Sequence, residues 1–476
     1  MKIWRAVRFE DYDLLPSDRS NLGSLRQDKP TRRRFLLLLS LVLFVQKTCS
    51  LRRIILGIAS LPMVLVFLTL WSGVPPDYRD IREYERALPQ HNLSLPYPAG
   101  QDGLYLRFPD HLWGHGLNNI LQEVILMAHL AHAANRSFVF EDYEWSRTPF
   151  PWTIYNFRLR PKRIPLNAFI AGPLAGGAYL ASDIAADAPP RAISAEWWET
   201  VCPPDLRYTI SSELAPHGPE VEGADIMQWW VDELAQYTQH SCVEIASPLP
   251  IFDNLFGTTR MLSLWPQLSV SPILASFAWS PLVQSAVARN FVYGLAEPSP
   301  LTGLVAIHLR RGDYGRHCPR LVGWGSTYMG LNQFPALPDK FAPPAPQDEP
   351  ETFPEALGEY YLSHCYPSVS QIVARLHQLR IEHPSLSRVY VLSNGRPSFL
   401  RGLRAALLAD SWADAITSAS VAANLDTEQE YVGVAVDMAI AEKAEVFVGN
   451  GFSSLSANVV MLRMAKGVDP RTNRFL

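Results

Sequence analysis

His308, Arg310, Arg311 and Asp313 crowd together directly after the apolar run Val305-Ala306-Ile307. A continuous apolar run of this kind reads as a buried parallel strand. In open α/β sheets, ligands bind just beyond the carboxyl ends of strands. A guanidinium at that place offers a planar fork that grips a phosphate through two hydrogen bonds. The stretch VAIHLRRGDYGRH (305–317) therefore predicts an anion site at a strand tip. Its plain alternative is a surface charge cluster, with Arg311 paired to Asp313.

Two further stretches have the same chemistry. Gly114-His115-Gly116-Leu117-Asn118-Asn119 places glycines before a helical pattern, which leaves backbone N–H groups free to meet an anion. The plain reading is a turn with Asn118 as the helix N-cap. Gly449-Asn450-Gly451-Phe452-Ser453-Ser454 follows the apolar residue Val448, and its serines open another helix. Hydroxyls and amides at a positive helix end suit phosphate; an N-cap serine after a tight turn is the plain reading. The glycine turn lacks the dinucleotide fingerprint, and no acidic residue follows a second strand at the usual distance, which argues against a nicotinamide cofactor.

These tips need elements to carry them. LYLRF (104–108) reads as a strand, and Leu117, Ile120, Leu121, Val124, Ile125, Ala128 and Ala131 keep helical spacing before the strand SFVFED. Residues 144–300 are rich in Trp, Pro and Ala, with weak periodicity, and read as loops and helices that cover the first half. LVAIHLRRGD (304–313) opens a second series. A Pro-rich stretch (334–357) reads as an exposed loop. Then come a helix near 368–382, strand RVYVLS (388–393), a further helix, a strand near 413–418, helix 432–444, strand EVFVGN (445–450) and helix 453–465. Alternating strands and helices predict parallel sheets, in two βαβ-type halves facing a cleft.

The flanking sequence predicts a setting. IILGIASLPMVLVFLTLW (54–71) is long enough to span a bilayer, and Arg52 and Arg53 precede it. This predicts a single-pass type II anchor: residues 1–53 cytosolic, 72–100 a stem, and the body in a Golgi or endoplasmic reticulum lumen. FLLLLSLVLFV (35–45) is too short to span; an interfacial piece, a second short span and a mistaken gene boundary all remain open for it. Of 5 cysteines, Cys202, Cys242, Cys318 and Cys365 follow the anchor. An even set in an oxidising compartment predicts bridges, and Cys202–Cys242 with Cys318–Cys365 keeps each within one half. Asn92 and Asn135 begin glycosylation sequons. No Cys/His cluster suggests a metal site, and a net charge of −4 excludes bulk attraction to nucleic acid.

HLRRGD after an apolar strand, GHGLNN before a long helix, and VDMAIAEKAEVFVGNGFSSLSANVVMLR together resemble the GDP-fucose protein O-fucosyltransferase family, over roughly residues 100–476. The resemblance implies a GT-B-like α/β fold: two Rossmann-like domains, here 101–270 on the acceptor side and 271–476 on the nucleotide-sugar side. It implies an inverting transfer of fucose from GDP-fucose to an O-linked protein or glycan acceptor, with no catalytic metal and no cofactor. Arg310 would hold the donor phosphate, His308 would pack against the nucleotide, Asn118 would be the donor-binding asparagine of the first glycine turn, and Ser453 and Ser454 would contact the diphosphate. Asp437 matches an acidic position of the family. VYVLSNG departs from the pattern, with Ser393 and Asn394 where members carry an acidic residue against guanine.

The chemistry is self-consistent. A departing nucleoside diphosphate builds negative charge on its β-phosphate, and Arg310, helix ends and hydroxyls can meet that charge. An in-line displacement also profits from a base for the acceptor proton. His115 in the glycine turn titrates near neutrality and is the first candidate. Glu123 is its competitor, a turn inside the helix, where the plain reading has it facing solvent. Two rival readings stand beside the fucosyltransferase: a non-catalytic, membrane-tethered sugar- or nucleotide-binding protein, and a transferase for another nucleotide sugar.

Overall fold

A computed structural model describes residues 51–71, 73–109, 116–155, 158–179, 190–246, 251–252, 255–291, 301–344 and 353–476. The chain divides into two compact units, Met1–Trp71 and Ser72–Leu476. In the first, helix α1 (Leu51–Trp71) contains the expected anchor and has Pro62 within it. No helix among the described residues is long and apolar enough to cross a membrane. The 35–45 run lies outside the described residues.

The second unit is built on two five-stranded sheets. The first has the order β8-β2-β1-β10-β9, with β1 Tyr105–Arg107, β2 Ser137–Phe140, β8 Ile193–Ser194, β9 Arg207–Ser211 and β10 Cys242–Ala246. The second has the order β14-β13-β12-β15-β16, with β12 Leu301–Leu309, β13 Arg388–Ser393, β14 Asp414–Thr417, β15 Ala444–Gly449 and β16 Asn473–Phe475. Every pairing within both sheets is parallel. The remaining strands make antiparallel pairs: β3 (Tyr143–Glu144) with β6 (Arg163–Ile164), β4 (Trp152–Tyr155) with β5 (Arg158–Pro161), and β7 (Ile170–Ala171) with β11 (Ala278–Trp279).

β12 shows why its sequence is apolar without alternation. Leu304 and Ala306 face one core, while Val305, Ile307 and Leu309 face another. Successive side chains of a strand point to opposite faces, so a central strand covered on both sides must be apolar throughout. Charge can begin only where the strand leaves the sheet, at Arg310.

Three expectations need correction. The segment 144–300 does more than cover the first sheet, because it supplies β9 and β10, and β10 pairs directly with β1. Residues 72–100 are not a free stem. Tyr78 and Leu88 are buried, the Tyr78 hydroxyl donates to Glu428 O at 3.0 Å, and Gln90 Nε2 donates to Gly176 O and Ala192 O. The Pro-rich stretch is only partly an exposed loop: Phe334 and Leu337 are buried, and Asp339 accepts from Arg375 and Arg474. Its residues 345–352 lie outside the described set. Both expected bridges are present, Cys202–Cys242 and Cys318–Cys365.

Candidate functional site

Helix α2 (Leu117–Ala133) follows β1, helix α3 (Tyr314–Gly323) follows β12, helix α6 (Gly433–Lys443) precedes β15, and helix α7 (Ser454–Ala465) follows it. Helices α4 (Phe353–Cys365) and α5 (Val369–Glu382) lie between β12 and β13. The C-terminal edge of the second sheet thus gathers the tip of β12, the tip of β15 and the first turn of α7.

The two adjacent arginines separate cleanly. Arg311 is only 6% exposed. Its guanidinium stacks between Tyr366 and Phe399, at 4.3 and 4.2 Å from the ring centres, and donates to Pro367 O. Its backbone N–H donates to Asn394 Oδ1 at 2.7 Å. Arg311 is therefore a structural cation. The Arg310 side chain is 41% exposed. It pairs with Asp313 through Nε and Nη2, both at 3.1 Å, and lies over the Tyr314 ring. The ion pair expected between Arg311 and Asp313 thus belongs to Arg310, because packing consumes the second guanidinium and leaves the first at the tip.

The tip of β15 is tied to the same place. The Tyr314 hydroxyl donates to Phe452 O at 3.1 Å. Asn450 N–H donates to Ser456 Oγ, and Ser456 Oγ lies 2.9 Å from His308 Nδ1. His308 is buried, and burial beside Arg310 pushes its pKa down to about 3, so the ring is neutral. Ser453 is the residue before α7 and makes no side-chain cap bond to it; Ser454 is the first helical residue. A Cβ on Gly451 would sit 2.2 Å from the Tyr328 ring, so the turn admits only glycine there.

The first half reaches this edge through Asn118. Gly116, not Asn118, precedes α2; Asn118 lies inside the helix. Its O and Oδ1 both accept from Asn458 Nδ2, at 2.9 and 3.1 Å, one turn into α7. A bond across the two halves takes precedence over capping. Asp437 on α6 accepts from the hydroxyls of Tyr390, at 2.5 Å, and Ser418, at 2.8 Å. Its burial pushes the carboxyl up to about 6 against those two hydrogen bonds. Ser393 and Asn394 are spent internally: Ser393 Oγ donates to Leu309 O, and Asn394 Oδ1 accepts from Arg311.

Beside Asn118 opens a cavity of about 320 Å³. Tyr143, Trp145, Leu159 and Tyr431 form its apolar wall, and Arg158 and Glu430 pair across it at 2.5 Å. The residues of this wall were not anticipated. Arg158 and Glu430 belong to different halves, and no local pattern announces a contact between positions so far apart in the chain. Ladder alternation explains part of the wall: Tyr143 and Ile164 face this cavity, while Glu144 and Arg163 line a second, more polar one at the tips of the first sheet.

His115 lies outside the described residues. Its competitor does not face solvent. Glu123 is half-buried, and burial pushes its carboxyl up to about 7 from an ordinary 4.5. An acid with a raised folded pKa gives stability that is present below pH 4.5 and lost as pH rises through 7. Glu123→Gln is therefore expected to match the wild-type melting temperature near pH 4.5 and to exceed it increasingly up to about pH 8. A difference that stays constant across this range contradicts the buried acid.

The fold and site define an α/β protein with two parallel sheets, in which an exposed arginine, a helix N-terminus and an asparagine from the opposite half share one sheet edge. Among solved structures, that of POFUT1 in complex with GDP is similar, at 16% identity and a TM-score of 0.47, covering 79% of this chain and 98% of that one. POFUT1 in complex with GDP-fucose follows at 16% and 0.45, with the same coverage of both chains. NodZ alpha-1,6-fucosyltransferase soaked with GDP-fucose is at 11% and 0.33, covering 75% of this chain and 92% of that one. No protein-family model and no curated protein sequence matches the chain.

Proposed function

We propose that the chain is a glycosyltransferase that transfers fucose from GDP-fucose to an O-linked protein or glycan acceptor. The observation that carries this reading is the convergence of Arg310, the first turn of α7 and Asn118 on one sheet edge. In this reading the donor diphosphate lies between them. The Arg310 fork and the α7 amides meet the charge that grows on the β-phosphate as the sugar leaves. His308, held neutral, adds no competing charge and packs beneath the nucleotide. The acceptor hydroxyl attacks the anomeric carbon in line from the opposite face, with inversion, as the bond from that carbon to GDP breaks; its proton passes to a base, for which His115 is the first candidate, and no metal is assigned a role. Residues 101–270 form the acceptor side and 271–476 the donor side.

The setting is part of the proposal. The apolar run 54–71 behind Arg52 and Arg53 supports a type II setting, with the N-terminus in the cytosol and the body in the Golgi or endoplasmic reticulum lumen. Two disulfides suit that oxidising compartment, and the sequon residues Asn92 and Asn135 are both exposed.

One observation favours a rival. Ser393 and Asn394 are engaged in internal hydrogen bonds rather than open to a base. A non-catalytic nucleotide binder would carry the same tips. Titrating the full chain with GDP, UDP and ADP by calorimetry tests the donor, and release of GDP from GDP-fucose separates enzyme from binder. Preference for GDP with donor turnover supports the proposal. Equal or absent binding of all three nucleotides defeats it.

A further inference from the structure

The phosphate-gripping tips rest on a short segment that touches no substrate in the reading above. Helix α4 ends at Cys365, and the last carbonyls of a helix have no partner within it. Asn450, fully buried at the tip of β15, takes one of them: its Nδ2 donates to Cys365 O at 2.8 Å. Its Oδ1 accepts from Phe452 N–H at 3.1 Å, and its backbone O accepts from Ser453 N–H at 3.0 Å. One asparagine thus shapes the whole turn into α7. Two residues on, Pro367 O accepts from the Arg311 guanidinium, and the Tyr366 ring stacks on it. Arg311 in turn follows Arg310 directly, and its N–H holds the β13 tip through Asn394.

Three strand tips are thereby referenced to Cys365-Tyr366-Pro367. The segment is itself fixed by the bridge from Cys365 to Cys318, on the helix that begins at the β12 tip. Both sulfurs are buried with their residues. The bridge closes a loop of 47 residues that includes the Pro-rich stretch. It ties the carbonyls that Asn450 and Arg311 grip to the helix that starts at the β12 tip.

We propose that the Cys318–Cys365 disulfide and the segment 365–367 form a brace that sets the spacing of the donor-phosphate tips, with Asn450 and Arg311 as positioning residues. The proposal rests on the GDP-donor reading and deepens it. The bridge and Asn450 act on the diphosphate, because they are tied to α3 and to the turn before α7, and only the Arg311 arm reaches the β13 tip.

The test compares dissociation constants for GDP and for guanosine in the full chain. Cys318→Ala/Cys365→Ala and, separately, Asn450→Ser are expected to weaken GDP about tenfold, the loss of one well-placed hydrogen bond. Guanosine binding should stay within about twofold of wild type, too little for one hydrogen bond. Cys202→Ala/Cys242→Ala, which opens the bridge of the first sheet, should leave GDP affinity unchanged. Equal weakening of GDP and guanosine in the brace variants would show a merely structural role and overturn the inference, as would unchanged GDP affinity. Should the double cysteine variant fail to fold, Asn450→Ser alone decides, since serine cannot reach Cys365 O. A wild type that binds no GDP would instead defeat the donor reading itself.

Discussion

Replacing Arg310 by alanine is expected to lower GDP release from GDP-fucose by about 10²–10³ in turnover, the usual loss when one preorganised electrostatic donor is removed. The site favours a clean measurement. Arg310 bonds only to Asp313 and stacks on Tyr314 among the described residues, and its side chain is half open to water. Exposed pairs of this kind contribute about 1 kcal/mol or less, so the variant should melt with the wild type. Arg310→Lys should recover only part of the rate, because an ammonium is a point charge without the planar fork. A folded Arg310→Ala protein whose turnover stays within about threefold of wild type would remove Arg310 from the mechanism, since that margin lies far below the electrostatic loss. Arg311→Ala is not a substitute experiment: it would strip a buried, stacked cation from the brace.

The largest expected loss of stability is at Arg463. This arginine on α7 is fully buried, and burial pushes its pKa down to about 10. Its guanidinium donates to the carbonyls of Glu442 at 2.9 Å and Ala444 at 2.5 Å, to Asn473 Oδ1 at 2.6 Å and to Thr472 Oγ1 at 2.8 Å. It therefore joins the end of α6, the start of β15 and the edge strand β16. Arg463→Met keeps the apolar stem and removes every donor. Each acceptor orphaned inside a protein costs about 1–3 kcal/mol, so losing all these donors at once should cost about 3 kcal/mol or more. Chemical denaturation should show that loss as a shifted midpoint with little change in slope. A loss below about 1 kcal/mol, the scale of a single ordinary hydrogen bond, would mean that water replaces the guanidinium.

The second half was legible in the sequence for a physical reason. β12, β13 and β15 are covered on both faces, so their apolar runs are continuous and end abruptly where the sheet ends. The helices after them carry the glycines and serines of helix starts. The first half was less legible. β9 and β10 are five residues each, and RYTIS and CVEIA interleave polar residues because their outer ends stay near solvent. Glu244 in β10 looks out of place in a central strand until Arg107 at the tip of β1 is seen beside it at 3.3 Å. For the site, residue type and strand position marked two anion-type tips, at His308–Asp313 and at Ser453–Ser454. Nothing local could distinguish the free arginine from the stacked one, since that depends on Tyr366 and Phe399. Nor could it show that Asn118 bonds across the halves instead of capping its helix.

The segment expected to be a stem has a mechanical consequence. Tyr78 reaches Glu428 in the second half, while Glu85 accepts from Asn167 and Gln90 donates to Gly176 in the first. Thirteen residues thus lash both halves together on one side. Two-domain enzymes commonly admit substrate by hinge bending. Here that swing is restrained, and the β4–β5 hairpin adds a further tie. It meets the second half through the Arg158–Glu430 pair and the Tyr431 hydroxyl on Leu159 O. A substrate then meets a crevice whose width the fold has already set, not one that two heavy lobes close around it.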